Sequence, residues 1–244
     1  MLKSAIEKIA SMVEPSVYEK DGHSFLINRD GEFAEIREEI DLPEALKLNS
    51  LDAIVKMIRT EALTKYSGAG PIYVDIPSHL LVESFLQPQT REIRPVIYSV
   101  HATDVPGWDE ETKLSFERAA VALQTRFQDS PDRAYTLQLL SQITTGAKVT
   151  YNDIGVATTV VTQKGVSLQQ NATIKPLVSL RPYRTFQELE QPDGLFLIRI
   201  DERGISFVEA DGGMWKLEAR KRIKSYLDEA LSPEIEAGSV VVML

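Results

Sequence analysis

The segment from Lys175 to Leu231 constrains the fold more than any other part of the chain. It contains β-prone runs separated by turns and closes with a long amphipathic stretch that begins at Trp215. Asp211-Gly212 is a turn dipeptide whose glycine permits a positive φ. This order of elements predicts three strands joined by tight turns and a helix that covers them. No set of residues within the segment is typical of catalysis.

Composition limits what the chain can bind. The formal net charge is −9, which repels phosphate backbones at long range and disfavours nucleic acid as a partner. The absence of cysteine excludes disulfide bonds, thiolate zinc sites and a cysteine nucleophile. With 244 residues, the chain can form one large domain or two smaller ones.

The N-terminus predicts an amphipathic helix and no secretory signal. Apolar residues recur there at helical spacing, and the charged residues Lys3, Glu7 and Lys8 interrupt them. No apolar run approaches the roughly 20 residues of a membrane-spanning helix. We therefore expect a cytoplasmic protein without membrane contact. Docking of this helix on a membrane surface is the alternative.

The motifs indicate neither a metal site nor a catalytic site. His23, His79 and His101 lie in separate strand or turn contexts, without the spacing of two ligands on one helix. Gly68 and Gly70 precede a β-prone segment, which is the wrong order for a phosphate-binding loop. We predict no bound metal, no nucleotide cofactor and no enzymatic activity. An active site assembled from distant segments stays open as an alternative.

The pattern of elements predicts an α+β fold with mixed or antiparallel sheets and amphipathic helices. The turn dipeptides Asp21-Gly22 and Asp30-Gly31 separate short β-prone segments near the N-terminus. Three regions are expected: a helix and β-meander arm in residues 1–45, a helix with three strands and a helical hairpin in residues 46–148, and a β-rich unit with a closing helix and strand in residues 149–244.

Helical periodicity predicts three helices at Leu51–Leu63, Phe116–Phe127 and Trp215–Leu231. Five apolar residues of the first predicted helix line one face: Leu51, Ile54, Val55, Ile58 and Ala62. A further helix is expected to have Ser130 as its N-cap and Pro131 as its first residue. The three β segments that follow the first helix are punctuated by prolines. Because proline removes a hydrogen-bond donor from the ladder, we expect at least one of these strands at a sheet edge.

Arg181 and Arg184 are the first candidates for an anion site. Their guanidinium groups flank a rigid Pro-Tyr turn and could clamp a carboxylate or a phosphate. The alternative is that they pair with nearby carboxylates and hold the turn in place. Those carboxylates are Glu188, Glu190 and Asp193.

The last predicted helix carries the second group of candidates, in its N-terminal half, where cations oppose the helix dipole. This placement indicates either a partner surface, for which the acidic stretch 32–44 of another subunit would be suitable, or a plain solvated face. Together with the two arginines of the turn, the candidate anion-binding or partner-binding residues are Arg181, Arg184, Arg220, Lys221 and Lys224.

The run from Val156 to Thr162 is β-branched and carries no charge. An exposed edge of this composition would aggregate, so it needs cover, either within the subunit or from a neighbour. We therefore expect a homo-oligomer whose contacts lie at or near Val156–Thr162 or the 1–36 arm.

Three motifs in the last third of the chain support a family resemblance. The PYRTF turn, the LFLIRI strand and the helix with Glu218-Ala219 resemble uncharacterised phage and prophage proteins of the YfdQ-like kind. The resemblance implies a phage protein of the host cytoplasm, encoded near recombination and replication functions. The expected function is non-enzymatic self-assembly into a ring or shell. The alternative is an accessory protein of phage recombination or counter-defence that sequesters a host protein or a small ligand.

Overall fold

The computed structural model describes residues 16–20, 23–27, 33–36, 44–87, 94–108, 113–145, 148–153, 158–163, 169–173, 175–201 and 204–244. The chain divides into two compact units, Met1–Pro43 and Glu44–Leu244. Helices and mixed sheets confirm the α+β fold class. No helix of the described ranges is long and apolar enough to cross a membrane.

The elements are numbered in chain order. The strands are β1 (Ser16–Lys20), β2 (His23–Ile27), β3 (Phe33–Ile36), β4 (Leu46–Leu48), β5 (Ile72–Ser78), β6 (Leu81–Phe85), β7 (Val96–His101), β8 (Lys148–Asp153), β9 (Thr158–Gln163), β10 (Gln169–Thr173), β11 (Leu177–Leu180), β12 (Gly194–Asp201), β13 (Gly204–Glu209) and β14 (Val240–Val242). The helices are α1 (Leu51–Met57), α2 (Leu63–Lys65), α3 (Phe116–Arg126), α4 (Pro131–Thr145), α5 (Met214–Ala230) and α6 (Ser232–Glu236), and a π-helical turn (Ile58–Ala62) joins α1 to α2.

The first unit contains the predicted meander. Strands β1, β2 and β3 pair in sequence order, and both pairings are antiparallel. The two Asp-Gly dipeptides of the sequence fall between these strands, outside the described residues. The helix predicted before this meander lies outside the described residues.

A five-stranded mixed sheet is the largest sheet of the second unit, with the order β14-β5-β6-β7-β4. Its three central strands are antiparallel, whereas β14 and β4 join the two sides as parallel strands. The α1 helix begins at Ser50, whose Oγ accepts a hydrogen bond from Ala53 N at 3.2 Å. The predicted apolar face of this helix is buried against the sheet together with Ile223 and Leu227 of α5.

The prediction that a proline-punctuated strand lies at a sheet edge was wrong. Strands β5, β6 and β7 occupy the interior of the sheet, and β14 and β4 form its edges. Pro77 lies where the pairing of β5 with β6 changes register, between Asp75 and Ser78. A bulge at that position removes the need for the missing amide donor, so an interior strand tolerates the proline.

A second core lies between the sheet β11-β12-β13 and the helices α3 and α4. Ser115 and Ser130 cap these helices through hydrogen bonds from Arg118 N and Arg133 N. Pro131 is the first residue of α4, as predicted. Both cores take residues from 46–148 and from 149–244, so the boundary expected at residue 148 does not separate two compact units.

The described part of the uncharged β-branched run, residues 158–162, has its backbone paired within the subunit. This part belongs to β9, the central strand of the sheet β10-β9-β8, and its backbone pairs antiparallel on both sides. The backbone of β9 therefore needs no second copy. An open strand edge therefore no longer supports the expected contact between subunits at Val156–Thr162.

Candidate interaction surface on the three-stranded sheet

The loop between β11 and β12 is organised by one buried amide. Gln191 is fully buried, and its Oε1 accepts hydrogen bonds from Arg184 N and Thr185 N at 2.9 and 3.1 Å. Its Nε2 donates to Phe186 O and Leu189 O at 3.0 and 3.3 Å. A single side chain thus satisfies two backbone donors and two backbone acceptors, which makes the loop a rigid part of the fold.

Arg181 pairs with carboxylates of its own loop. Its Nε donates to Asp193 Oδ1 at 2.8 Å, and its Nη1 forms an ion pair with Glu190. Burial opposes ionisation of Asp193, but hydrogen bonds from Arg181 and Ser179 outweigh it and hold the pKa of this carboxyl below its usual value. These contacts support the alternative in which Arg181 holds the turn in place.

Arg184 is buried, with 6% of its surface exposed. Its guanidinium forms an ion pair with Glu209 of β13 and stacks on Trp215, with 3.7 Å between the guanidinium carbon and the ring centroid. Arg184 therefore ties the loop to β13 and to the start of α5. The structure does not bring Arg181 and Arg184 onto one ligand, because each contacts a different carboxylate.

The cations of α5 are distributed over several surfaces. Arg220 Nε donates to Ile76 O at 2.8 Å, within the irregular stretch of β5, and Lys224 Nζ lies 2.7 Å from Asp228 Oδ2. Lys221 is exposed and lines a cavity beside the three-stranded sheet. The candidates named from the sequence thus form no common site, and Lys221 is the one that lies at the surface described next.

The outer face of the β11-β12-β13 sheet carries an aliphatic row that the sequence analysis missed. Leu177 pairs with Leu197, and Leu197 pairs with Val208, so these three residues lie side by side across the strands. Leu177 is 43% exposed and Val208 is 44% exposed, while Leu195 of the same face is 45% exposed. Met214, at the start of α5, is 62% exposed. We call these five residues the aliphatic face.

Part of each edge of this sheet is occupied by its own chain. Leu114 bridges Ile205 of β13, with reciprocal backbone hydrogen bonds of 2.9 Å. On the other side, Asp132 Oδ2 accepts a hydrogen bond from Ser179 N at 2.7 Å, and Phe127 bridges Pro182. Fewer backbone groups at the edges of this sheet are therefore free for a partner.

Charged residues border the aliphatic face at opposite ends of β12. Asp193 precedes the strand at one end, and exposed Arg199 follows Leu197 at the other. A cavity of about 290 Å³ lies at the Asp193 end. The carboxylates of Asp193, Asp211 and Glu218 line this cavity together with Ser179, Leu195, Met214, Trp215, Leu217 and Lys221.

A larger depression of about 610 Å³ lies along α3, lined by Trp108, Leu114 and several residues of that helix. Val121 on its wall is 54% exposed. Its polar residues Glu117, Arg118 and Arg126 all come from this one helix. They do not converge from several elements as the polar groups of a small-molecule site do.

His79 and His101 take structural positions. His79 packs edge-on against Trp215 with ring centroids 4.7 Å apart, and His101 Nε2 lies 3.1 Å from Ser99 Oγ. Burial lowers the pKa of His79, and Lys216 and Arg184 lower it further. Among the residues that the structure describes, no group of three or more histidine, aspartate or glutamate side chains could hold a metal ion.

Comparisons with known proteins identify no relative. A scan against protein-family models, a search of curated proteins and a search of solved structures each returned no match. The geometry of the chain therefore carries the functional argument.

Proposed function

We propose that this chain is a non-enzymatic phage protein of the host cytoplasm that associates with copies of itself. The aliphatic face of the three-stranded sheet forms the contact. The observation that supports this proposal is the row of Leu177, Leu197 and Val208, which lies in register on a solvent-facing sheet surface. An exposed apolar patch bordered by charged residues is typical of a protein–protein interaction site.

The free energies of side-chain burial and of association show whether the aliphatic row alone can hold two copies together. Complete burial of a leucine or valine side chain contributes roughly 1.5–3 kcal/mol, and the members of the row are already about half covered. Association itself costs an estimated 4–15 kcal/mol. The row alone is therefore insufficient, and its charged surroundings must also be complementary in the associated state.

Association through the strand edges of the five-stranded sheet and of the sheet β11-β12-β13 is less favourable. The outer strands of the five-stranded sheet, β4 and β14, have three residues each, and short edge strands present few free backbone groups. The edges of the three-stranded sheet are bridged by Leu114 and Phe127 of the same chain. The aliphatic face is thus the better contact.

The phage origin in this proposal rests on the resemblance of the PYRTF turn, the LFLIRI strand and the Glu218-Ala219 helix to YfdQ-like proteins. A pair formed through the aliphatic face would be the building unit, and a ring or shell would need a second contact elsewhere. The N-terminal arm in residues 1–36 stays our proposal for that contact.

Matched valine variants test the proposed face. Val208→Lys places a charge on the aliphatic face, whereas Val121→Lys places the same charge on the exposed surface of α3. Sedimentation velocity should show a self-associating wild type, a self-associating Val121→Lys protein and a monomeric Val208→Lys protein. A wild type that stays monomeric, or a Val208→Lys protein that associates like the wild type, would refute the proposal.

A further inference from the structure

We infer that two copies pack face to face about a two-fold axis that runs across β12, so that Arg199 of one copy enters the acidic cavity of the other. This inference rests on the proposed self-association and specifies its register. It follows from the order of charges along one strand, the contents of one cavity and the distribution of apolar residues around them.

The outward positions of β12, together with the residue just before it, run in the order acid, aliphatic, aliphatic, base: Asp193, Leu195, Leu197 and Arg199. With a rise of about 3.3 Å per residue, the two charges lie about 20 Å apart. A two-fold axis across the strand, midway between the leucines, reverses the strand direction. Arg199 then lies over Asp193 of the second copy at both ends of the contact.

The other two-fold arrangement of stacked sheets is electrostatically unfavourable. An axis that runs along β12 preserves the strand direction and places Arg199 over Arg199 and Asp193 over Asp193 of the second copy. Like charges brought together at an interface oppose association. The charge order therefore selects the arrangement in which the strands are antiparallel.

The apolar residues agree with the same register. The row of Leu177, Leu197 and Val208 lies one outward position further along the strands than Leu195. With the axis between the two leucines, this row covers Leu195 of the second copy. The apolar positions of both copies are thereby buried together.

The cavity at the acidic end has the chemistry of an arginine site. Asp193, Asp211 and Glu218 supply three carboxylates, and Lys221 lines the same cavity. Arg181 also pairs with Asp193 and Arg222 with Glu218, so an entering arginine would share these carboxylates with arginines of the same chain. Leu195, Met214 and Trp215 supply apolar walls for the aliphatic part of an arginine side chain. The volume of about 290 Å³ is sufficient for one guanidinium group.

Complementary charge variants test this register without relying on loss of function alone. Arg199→Glu and Asp193→Lys each place like charges at both ends of the pair, so the dissociation constant of each homodimer should rise at least about tenfold. In an equimolar mixture, one Arg199→Glu chain and one Asp193→Lys chain form two opposite-charge contacts. Native mass spectrometry should therefore detect a heterodimer of near wild-type affinity.

Asp193 also binds Arg181 and Ser179, so Asp193→Lys could fail to fold. A lysine substitution at a second carboxylate keeps the test valid in that case. Glu218→Lys changes an exposed carboxylate of the same cavity and should likewise pair with Arg199→Glu. If the wild type associates and Val208→Lys abolishes association, but neither mixture forms a heterodimer, the register is wrong and the proposed function stands. If the wild type is monomeric, the proposed function fails as well.

Discussion

The Arg184 guanidinium stacks on the Trp215 indole, with 3.7 Å between the guanidinium carbon and the ring centroid, while it forms an ion pair with Glu209. This arrangement joins the loop after β11, the strand β13 and the helix α5 at one point. Trp215 also lines the cavity that contains Asp193, Asp211 and Glu218. The aliphatic face therefore lies on a rigid support.

Removal of Arg184 should destabilise the fold strongly. Arg184→Ala leaves the Glu209 carboxylate without this ion pair in a largely buried position and removes the cation–π contact. We expect a loss of about 3 kcal/mol or more in the free energy of unfolding, measured by urea denaturation. The control Arg126→Ala removes an exposed arginine and should change stability by less than about 0.5 kcal/mol. Equal effects of the two variants would contradict this role.

The side-chain amide of Gln191 should also contribute strongly to the stability of the fold. Gln191→Leu keeps the approximate side-chain size but leaves two buried backbone donors and two acceptors without the partners that Gln191 supplies. Each unsatisfied buried group costs about 1–3 kcal/mol, so the variant should lose several kcal/mol of stability. Gln138→Leu, at an exposed position of α4, is the control. Thermal unfolding of both proteins decides the question, and a wild-type Tm for Gln191→Leu would contradict the prediction.

Gly194 is required by the position of Arg184. A Cβ atom at residue 194 would overlap Arg184 Nη2 and lie 3.0 Å from Phe196 Cε2. Gly194→Ala should therefore destabilise the fold by about 1–3 kcal/mol. Gly68→Ala is the matched control, because a Cβ there meets no atom within 4 Å. Chemical denaturation should show a control that is neutral or slightly more stable than the wild type, and two indistinguishable variants would contradict the packing described here.

His79 should make stability depend on pH. Burial and the nearby cations lower its pKa below the ordinary value of 6.5, so between these two pKa values the unfolded chain binds more protons. The full stability is present above pH 6.5 and decreases as the pH falls below it. The difference in unfolding free energy between about pH 7.5 and about pH 5.5 should therefore shrink in His79→Gln. It should persist in His101→Gln, whose ring is exposed. An unchanged difference in His79→Gln would contradict this assignment.

Local patterns predicted the helices well because their periodicity is a property of consecutive residues. The five apolar positions expected to face the core between Leu51 and Ala62 are all buried, and the glycines of the turn before α5 have positive φ as expected. The parallel pairing of β14 with β5 joins residues about 170 positions apart. No local pattern reveals such a pairing, and the same applies to the bulge that places Pro77 in an interior strand.

The aliphatic face was harder to predict from the sequence than the helices were. The LFLIRI strand is apolar at successive positions, so alternation cannot distinguish its two faces. Phe196 and Ile198 are buried and Leu195 is exposed because α3 and α4 cover only the inner face. Conversely, the cluster of cations on α5 was visible in the sequence, but its members contact different partners in the fold.

Sedimentation velocity of the wild type beside Val208→Lys and Val121→Lys tests the central claim most directly. The account predicts that the wild type and Val121→Lys sediment as the same oligomer and that Val208→Lys sediments as a folded monomer. A monomeric wild type at micromolar concentration, or a Val208→Lys protein that sediments with the wild type, would contradict self-association through the aliphatic face.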